Sequence, residues 1–288
     1  LAAKPNTFIN CSTGTLAAAV GDQYYNIEAA LAAAGELRLT NLELLLHPEW
    51  RCEHPPLTPY SADWPSIPKF APHQVMRLAD QALDQKIRFN SIHANRDIGM
   101  LLAAGDTVSV NEGMEQLDYA CGLAERVGAR VVVLHAWDTY AEEVPVEGIA
   151  GHLNGYLSRL PREVVLTVEN VPVSHRGLEP AEFLASLLDT LDPQIGLTID
   201  LTWTSLYDNL PDLLPLVGRV ENVHIQCMPD REGTQVVIPK VGQLSIERAV
   251  GDLLDACYNG LWTLELVGAR GREDFLTAIK YLERLLNR

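Results

Sequence analysis

The sequence predicts a closed parallel (β/α)8 barrel, a single domain over residues 1–288. Three observations predict it. Eight short runs of branched and apolar residues alternate with stretches whose apolar residues recur every three or four positions. No Gly-rich phosphate fingerprint follows the first run, because Gly14 and Gly21 do not make a GxGxxG, so an open doubly wound sheet is the weaker alternative. No internal repeat, low-complexity tract or domain-breaking linker interrupts the alternation. A prior of roughly 150 residues per domain would give two domains, but single barrels commonly run to about 250 or more.

The elements follow in order. The first strand is Thr7–Cys11, and a helical pattern covers Tyr24–Ala34. The second strand, Asn41–Leu46, leads into His47–Pro72, where Pro48, Pro55, Pro56, Pro59, Pro65, Pro68 and Pro72 forbid a regular helix. In a barrel this loop over 47–72 would sit on the catalytic face as a lid or wall. The helical pattern Gln74–Gln85 then precedes strand Phe89–His93. Helix Glu112–Val127, with Asn111 and Glu112 as its start, precedes strand Val131–His135. The fifth strand is Val164–Glu169, followed by helix Glu179–Leu191 and the sixth strand, Ile195–Asp200. Val220–Ile225 is the seventh, and helix Ile246–Tyr258 starts at Ser245 with Glu247. The eighth strand, Leu261–Leu266, is followed by helix Glu273–Leu286.

Composition narrows the function. Hydrophobic residues make up 47% and charged residues 21%, which excludes a disordered chain. The net charge of −16 repels phosphate backbones and sets nucleic acid aside as the main partner. No apolar run is long enough for a transmembrane helix, and LAAKPNTFINCSTGTLAAAV reads poorly as a signal peptide. Cys11, Cys52, Cys121, Cys227 and Cys257 are odd in number and form no CxxC pair, which fits a reducing cytoplasm. No membrane partner is expected, and a homo-oligomer is compatible with the sequence.

The chemistry lies at the strand ends. Residues two apart in a strand face the same side. The pairs are Asn41 with Glu43, Ser91 with His93, Val133 with His135, and Thr167 with Glu169. They continue with Thr198 and Asp200, Asn222 and His224, and Thr263 and Glu265. In every pair the second member is ionisable and near the carboxyl end of its strand. Each alone reads equally as a satisfied polar group, but seven at one register would cost several kcal/mol each if left unpaired. A divalent cation compensates them directly, and Glu169, Asp200, His224 and Glu265 are the strongest ligand set because they lie on four successive strands. Glu43 stands apart, since it could pair with Arg51 or Arg96 instead.

At these residues the sequence resembles the xylose isomerase-like barrel superfamily, which spans sugar isomerases and epimerases, inosose-processing enzymes and, more distantly, endonuclease IV. The carrying motifs are NLEL, SIHAN, VVVLHAW, LTVEN, LTIDLTW, NVHIQ and TLEL, in order on strands two to eight. The resemblance to the ketose epimerase branch implies one divalent metal held by Glu169, Asp200, His224 and Glu265, with the two glutamates also as the acid–base pair. Departures separate the chain from other branches. Trp203 stands where endonuclease IV-like enzymes carry a His, and Asp230-Arg231-Glu232 replaces their Asp-x-His, so a three-zinc site is incomplete. Glu169 is followed by Asn170 and Val171, without the Lys of xylose isomerases proper. Ile238-Pro239-Lys240-Val241-Gly242-Gln243 is similar to the family's Gly-rich turn, with Lys240 in place of its first Gly.

Trp50, Trp64, Trp137 and Trp203 fall just after strands, where rings either pack on a sugar face or cap the barrel; Trp203 is the best candidate pocket wall. His47, Cys52, Glu53 and His54 match no strong ligand motif, and His73, His152 and His175 read as bystanders. The expectation is therefore a cytoplasmic, metal-dependent isomerase or epimerase of a small sugar or polyol carbonyl compound, working by proton abstraction α to the carbonyl through a metal-stabilised enediolate. Mn²⁺, Mg²⁺ or Co²⁺ suits the oxygen-rich ligands, with Zn²⁺ a further candidate. Glu43, His93, His135, Trp203 and Arg231 are the expected substrate contacts. A dehydratase of a cyclic polyol ketone, an endonuclease-like phosphodiesterase and a non-catalytic metal- or sugar-binding barrel are the alternatives.

Overall fold

Short runs that alternate apolar with inward-facing residues form the eight parallel strands of a closed barrel in the computed structural model. It describes residues 9–22, 24–46, 70–137, 144–172, 180–226, 228–229, 236–237, 245–266, 269 and 271–287. The barrel strands are β1 (Ile9–Ser12), β2 (Asn41–Leu45), β3 (Arg88–His93), β4 (Val131–Leu134), β5 (Val165–Glu169), β6 (Gly196–Asp200), β7 (Val220–Ile225) and β10 (Leu261–Leu264). They follow one another around the barrel in chain order, and β10 closes it against β1. A two-residue antiparallel pair, β8 (Met228–Pro229) and β9 (Val236–Val237), lies outside the barrel sheet.

Helices fill the connections: α1 (Thr13–Ala19), α2 (Ile27–Leu37), α3 (Pro72–Asp84), α4 (Ile98–Ala103), α5 (Thr107–Val127) and α6 (Val146–Tyr156). The second half of the chain adds α7 (Pro180–Thr190), α8 (Leu201–Tyr207), α9 (Leu210–Leu213), a 3-10 turn at Leu214–Arg219, α10 (Ile246–Asp255) and α11 (Arg272–Leu286). The barrel fold is the one expected. Helix α5 differs at its start: Asp106, not Asn111, is the cap, and its carboxylate accepts from the amides of Val108 and Ser109. At α10 the expected cap holds, with the Ser245 hydroxyl accepting from the Arg248 amide. Most of the Pro-rich segment 47–72 falls outside the described residues.

The two faces of each strand have different partners. Outward-facing Leu42, Leu44, Phe89, Ile92, Val132, Leu134, Leu166, Val168, Leu197, Ile199, Val223, Ile225, Trp262 and Leu264 join one buried apolar core beneath the helices. Each such side chain contributes on the order of 1.5–3 kcal/mol on burial. The inward face is mostly polar, unlike the branched apolar filling usual in these barrels. Most buried polar groups find partners, and many of these do. Asn90 donates to Asn10 at 2.8 Å and to Asn41 at 3.2 Å, Asn10 to Thr263 at 3.4 Å, and Thr263 to Asn222 at 2.9 Å. Thr167 and Thr198 share a bond of 2.7 Å. A bulge helps: Leu42 pairs with Phe89 but Glu43 with Ser91, so Asn90 is an extra residue, and Asn90 and Ser91 both bond into the interior.

Two close contacts fix the loops. Gly99 of α4 lies against the carbonyls of His135 and Ala136, where a Cβ would stand 2.2 and 2.3 Å from their oxygens. Arg219 binds the end of α7 to the start of β6, its guanidinium donating to the carbonyls of Leu188, Asp192 and Ile195. Cys11, Cys121 and Cys257 are free thiols, and no helix among the described residues is long and apolar enough to cross a membrane.

Candidate functional site

The parallel arrangement brings every strand's carboxyl end to one mouth, and the inward register delivers His93, His135, Glu169, Asp200, His224 and Glu265 to its centre. Glu169 is the hub. Its Oε2 lies 3.2 Å from Nε2 of His135, 3.3 Å from Nε2 of His93 and 3.6 Å from Nδ1 of His224. His224 Nδ1 is also 3.6 Å from Oε2 of Glu265. His93 stands between the other two rings, 5.1 Å from His135 and 5.6 Å from His224 by centroid. Asp200 ends β6 and caps α8, so both its oxygens are held: Oδ1 accepts from the Thr202 amide at 2.6 Å, and Oδ2 from Gln226 at 2.7 Å.

The hydrogen bonds assign the ring nitrogens. His93 Nδ1 is 3.2 Å from the carbonyl of Ala94, which can only accept, so Nδ1 carries a proton. Its Nε2 faces the Glu169 carboxylate at 3.3 Å, a contact that a proton on Nε2 or a cation between them satisfies. On His224, Nε2 lies 3.0 Å from Nδ2 of Asn222 and 3.3 Å from Oε2 of Glu43, while the buried Nδ1 has no hydrogen-bond partner among the described residues.

The electrostatics follow. Burial would raise Glu169, but the imidazoles of His135, His93 and His224 outweigh it and hold the carboxyl well below its usual range. Burial would likewise raise Glu43, and His224, His93 and the Ser91 hydroxyl keep it low. Burial would lower His224, yet the carboxylates of Glu43 and Glu265 hold it well above its ordinary value. Glu265 goes the other way: burial raises it against the pull of His224. Asp200 is pushed up to about 8 by burial, with Glu169 adding to the effect.

The donor set fits a divalent cation. Ligand atoms within 4.8 Å of one another occur in three overlapping groups: Glu169, Asp200 and His224; His93, His224 and Glu265; and His93, His135 and Glu169. The buried Nδ1 of His224 has no hydrogen-bond partner among the described residues and faces the carboxylates of Glu169 and Glu265, a place where a cation would take over from a proton.

The structure thus brings Glu169, Asp200, His224, Glu265, His93 and His135 together. Glu43 is placed differently from its expected substrate contact. It is 0% exposed and pairs with His224, Ser91 and Asn222 inside the barrel, because β2 reaches the interior a layer below the mouth. His93 and His135, expected to reach substrate hydroxyls, are both turned onto Glu169. Trp203 lines a cleft with Asn170, Pro180, Ala181, Leu184, Tyr207, Asn209 and Leu213, beside the ionisable cluster and joined to it through Asn170. Trp137 is buried packing, its indole N–H donating to the Val171 carbonyl at 2.7 Å. Arg231, Trp50, Trp64, His175 and the cluster His47, Cys52, Glu53 and His54 lie outside the described residues.

Two residues not singled out from sequence hold Asp200. Gln226 grips its carboxylate, and Asn170 clamps its backbone, accepting from the Asp200 amide at 2.6 Å. Gln226 could have been found by continuing the alternation two residues beyond His224.

The sequence matches no protein-family model and no curated protein. Among solved structures, it is similar to a xylose isomerase domain protein from Planctomyces limnophilus, at 17% identity and TM-score 0.59 over 98% of this chain and 96% of that one. It is also similar to D-allulose 3-epimerase from Methylomonas sp., at 14% identity and TM-score 0.66 over 97% and 98% of the two chains. An L-ribulose 3-epimerase matches at 16% identity and TM-score 0.66, over 97% and 94%. The chain therefore has the fold of the xylose isomerase-like barrels.

Proposed function

We propose that the chain is a metal-dependent isomerase or epimerase of a small sugar or polyol carbonyl compound. The observation that carries the reading is the buried Nδ1 of His224, without a hydrogen-bond partner among the described residues and equidistant from Glu169 and Glu265. Glu169, Asp200, His224 and Glu265 would hold one divalent cation, Mn²⁺, Mg²⁺ or Co²⁺ by ligand hardness. When bound, such a cation supplies the positive charge that polarises a substrate carbonyl and stabilises the enediolate left when the α proton departs.

The protein's own groups then move the proton. Glu169 on β5 is kept ionised by His135 and His93, which suits it to accept the proton. Glu265, the residue after β10 and raised by burial, is suited to return one from another strand end. Asp200 and His224 would hold the cation without exchanging protons with substrate. Trp203 would wall the substrate's apolar face, and Arg231 would steady a distal hydroxyl or acidic group. The ketose 3-epimerase folds among the similar structures support the substrate class. Metal analysis, with ketoses and inososes screened for exchange of carbon-bound hydrogen in D₂O, tests the reading. Metal uptake with exchange and no dehydration is the expected result. Exchange with loss of water would make it a dehydratase instead, and metal uptake without exchange a binding module.

One observation favours a second reading. Nε2 of His93, facing Glu169 with His135 beside it, belongs to a ligand group of its own that shares Glu169 with the first. A second cation held there would supply charge suited to hydrolysis of a phosphodiester. A stoichiometry of two metal ions per chain, with incision of an abasic duplex that Glu169→Gln abolishes, would favour it; the net charge of −16 speaks against it.

A further inference from the structure

We infer that Glu43 is the positioning residue that holds the His224 ring with Nδ1 toward the strand-end cluster, and so sets how tightly that cluster takes a divalent cation. The inference rests on the metal-binding reading above and deepens it.

Glu43 on β2 and His224 on β7 meet in the barrel interior, both wholly buried. One oxygen of Glu43 does all the bonding. Its Oε2 accepts from the Ser91 hydroxyl at 2.7 Å and from the Asn222 amide at 3.0 Å, and lies 3.3 Å from His224 Nε2. Its Oε1 has no hydrogen-bond partner among the described residues. A buried acceptor left bare costs about 1–3 kcal/mol, more when charged, so packing alone gives no reason for a carboxylate here.

Two side chains, Glu43 and Asn222, meet Nε2 of His224. Thr263 donates to Oδ1 of Asn222 at 2.9 Å, which fixes the flip of that amide and turns its N–H₂ toward Glu43. The same N–H₂ also lies 3.0 Å from His224 Nε2, so Nε2 has both a donor and an acceptor beside it. With a cation on Nδ1, the atom that faces Glu169 and Glu265, the ring proton would sit on Nε2, where the Glu43 carboxylate is the acceptor placed to take it. The ring of His93, nearly parallel at 28°, limits rotation of the imidazole away from this setting. A carboxylate behind a ligating histidine fixes its tautomer and strengthens it as a donor, and removing such a partner typically weakens metal binding about 10–100-fold.

The test uses the full chain and two metal probes. Mn²⁺ binding to the wild type and Glu43→Gln is titrated by the electron paramagnetic resonance of free Mn²⁺. The expected result is a Kd about 10–100-fold higher in the variant. A Zn²⁺-loaded, ¹⁵N-histidine-labelled wild type is examined by long-range ¹H–¹⁵N spectra, which need no variant to fold. The expected spectrum has the His224 proton on Nε2 and the metal on Nδ1. A wild type that binds, with Glu43→Gln binding as tightly or with zinc on Nε2, overturns the role of Glu43 alone. A wild type that takes up neither ion overturns the metal-binding reading and the role of Glu43 with it.

Discussion

The carboxylate of Asp200 accepts a hydrogen bond from the backbone amide of Thr202 at 2.6 Å. The last residue of β6 is therefore also the cap of α8, and no loop separates strand from helix. A side chain used as a helix cap has its χ angles fixed by the backbone that follows. The other oxygen, tied to Gln226, is fixed by β7. The aim of Asp200 into the mouth is thus set by two elements at once.

Acidity at Asp200 gives the first prediction. Its folded pKa is about 8, against an unfolded value of about 3.9. Between those limits the folded, metal-free protein holds a proton that the unfolded chain has lost. The contribution to stability is full below about pH 4 and is lost as pH rises through about 8. Melting temperatures of metal-free Asp200→Asn, relative to wild type, should therefore climb from pH 5 to pH 9. A pH-independent offset would count against the shift. Over the same window Mn²⁺ must displace the proton, so wild-type affinity should rise with pH and binding should release acid.

The glutamates should behave unlike the aspartate. Glu169→Gln and Glu265→Gln should each lower turnover by about 10²-fold or more at saturating metal, as expected when a general base or acid is removed. Asp200→Asn should lose activity that excess metal partly restores. Near-wild-type turnover by Glu265→Gln at saturating Mn²⁺ would sink the paired mechanism even if the ligand set is right.

Gly99 should tolerate no side chain. In Gly99→Ala the new methyl meets the carbonyl oxygens of His135 and Ala136, and backbone cannot turn aside as a flexible side chain can. Overpacking of this kind costs about 1–3 kcal/mol, occasionally more. Thermal melting should show the loss; an unchanged melting temperature would mean that α4 slides freely on the end of β4.

Arg219 offers a test far from the mouth. Arg219→Met strips charge-assisted donors from three carbonyls at the α7–β6 junction and should cost about 1.5–3 kcal/mol. Arg219→Lys should fall between, because an ammonium cannot reproduce the planar fork. Chemical denaturation of the three proteins orders them, and equal stability of the lysine and arginine forms would refute the geometric part.

The strands were legible because a pleat imposes a period of two, and pairs such as Thr167 with Glu169 or Thr198 with Asp200 carry it openly. Several helices were hidden for local reasons. Gly148, Gly151 and Gly155 weaken the helical signature of α6. The run Thr107-Val108-Ser109-Val110 looks strand-like at the start of α5, and α8 begins with no turn residue before it. The strand-end cluster was readable as a set, whereas partner choice was not. Alternation puts Glu43 on the inward face but cannot say that Ser91, Asn222 and His224 meet it there, since those contacts depend on the bulge at Asn90 and on β2 facing β7.

The polar lining of the barrel bears on how the chain reaches its native state. Asn10 and Thr263 are 253 residues apart, and their bond forms only when the first and last strands meet. Until then the amides and hydroxyls of a half-built sheet are better served by water than by one another. Closure must therefore expel that water and pair these groups in a single late event, which makes the ring all-or-none. Partial barrels should gain little from folding alone, and long-range closure of this kind is slow because the loop entropy is lost before the contacts offset it.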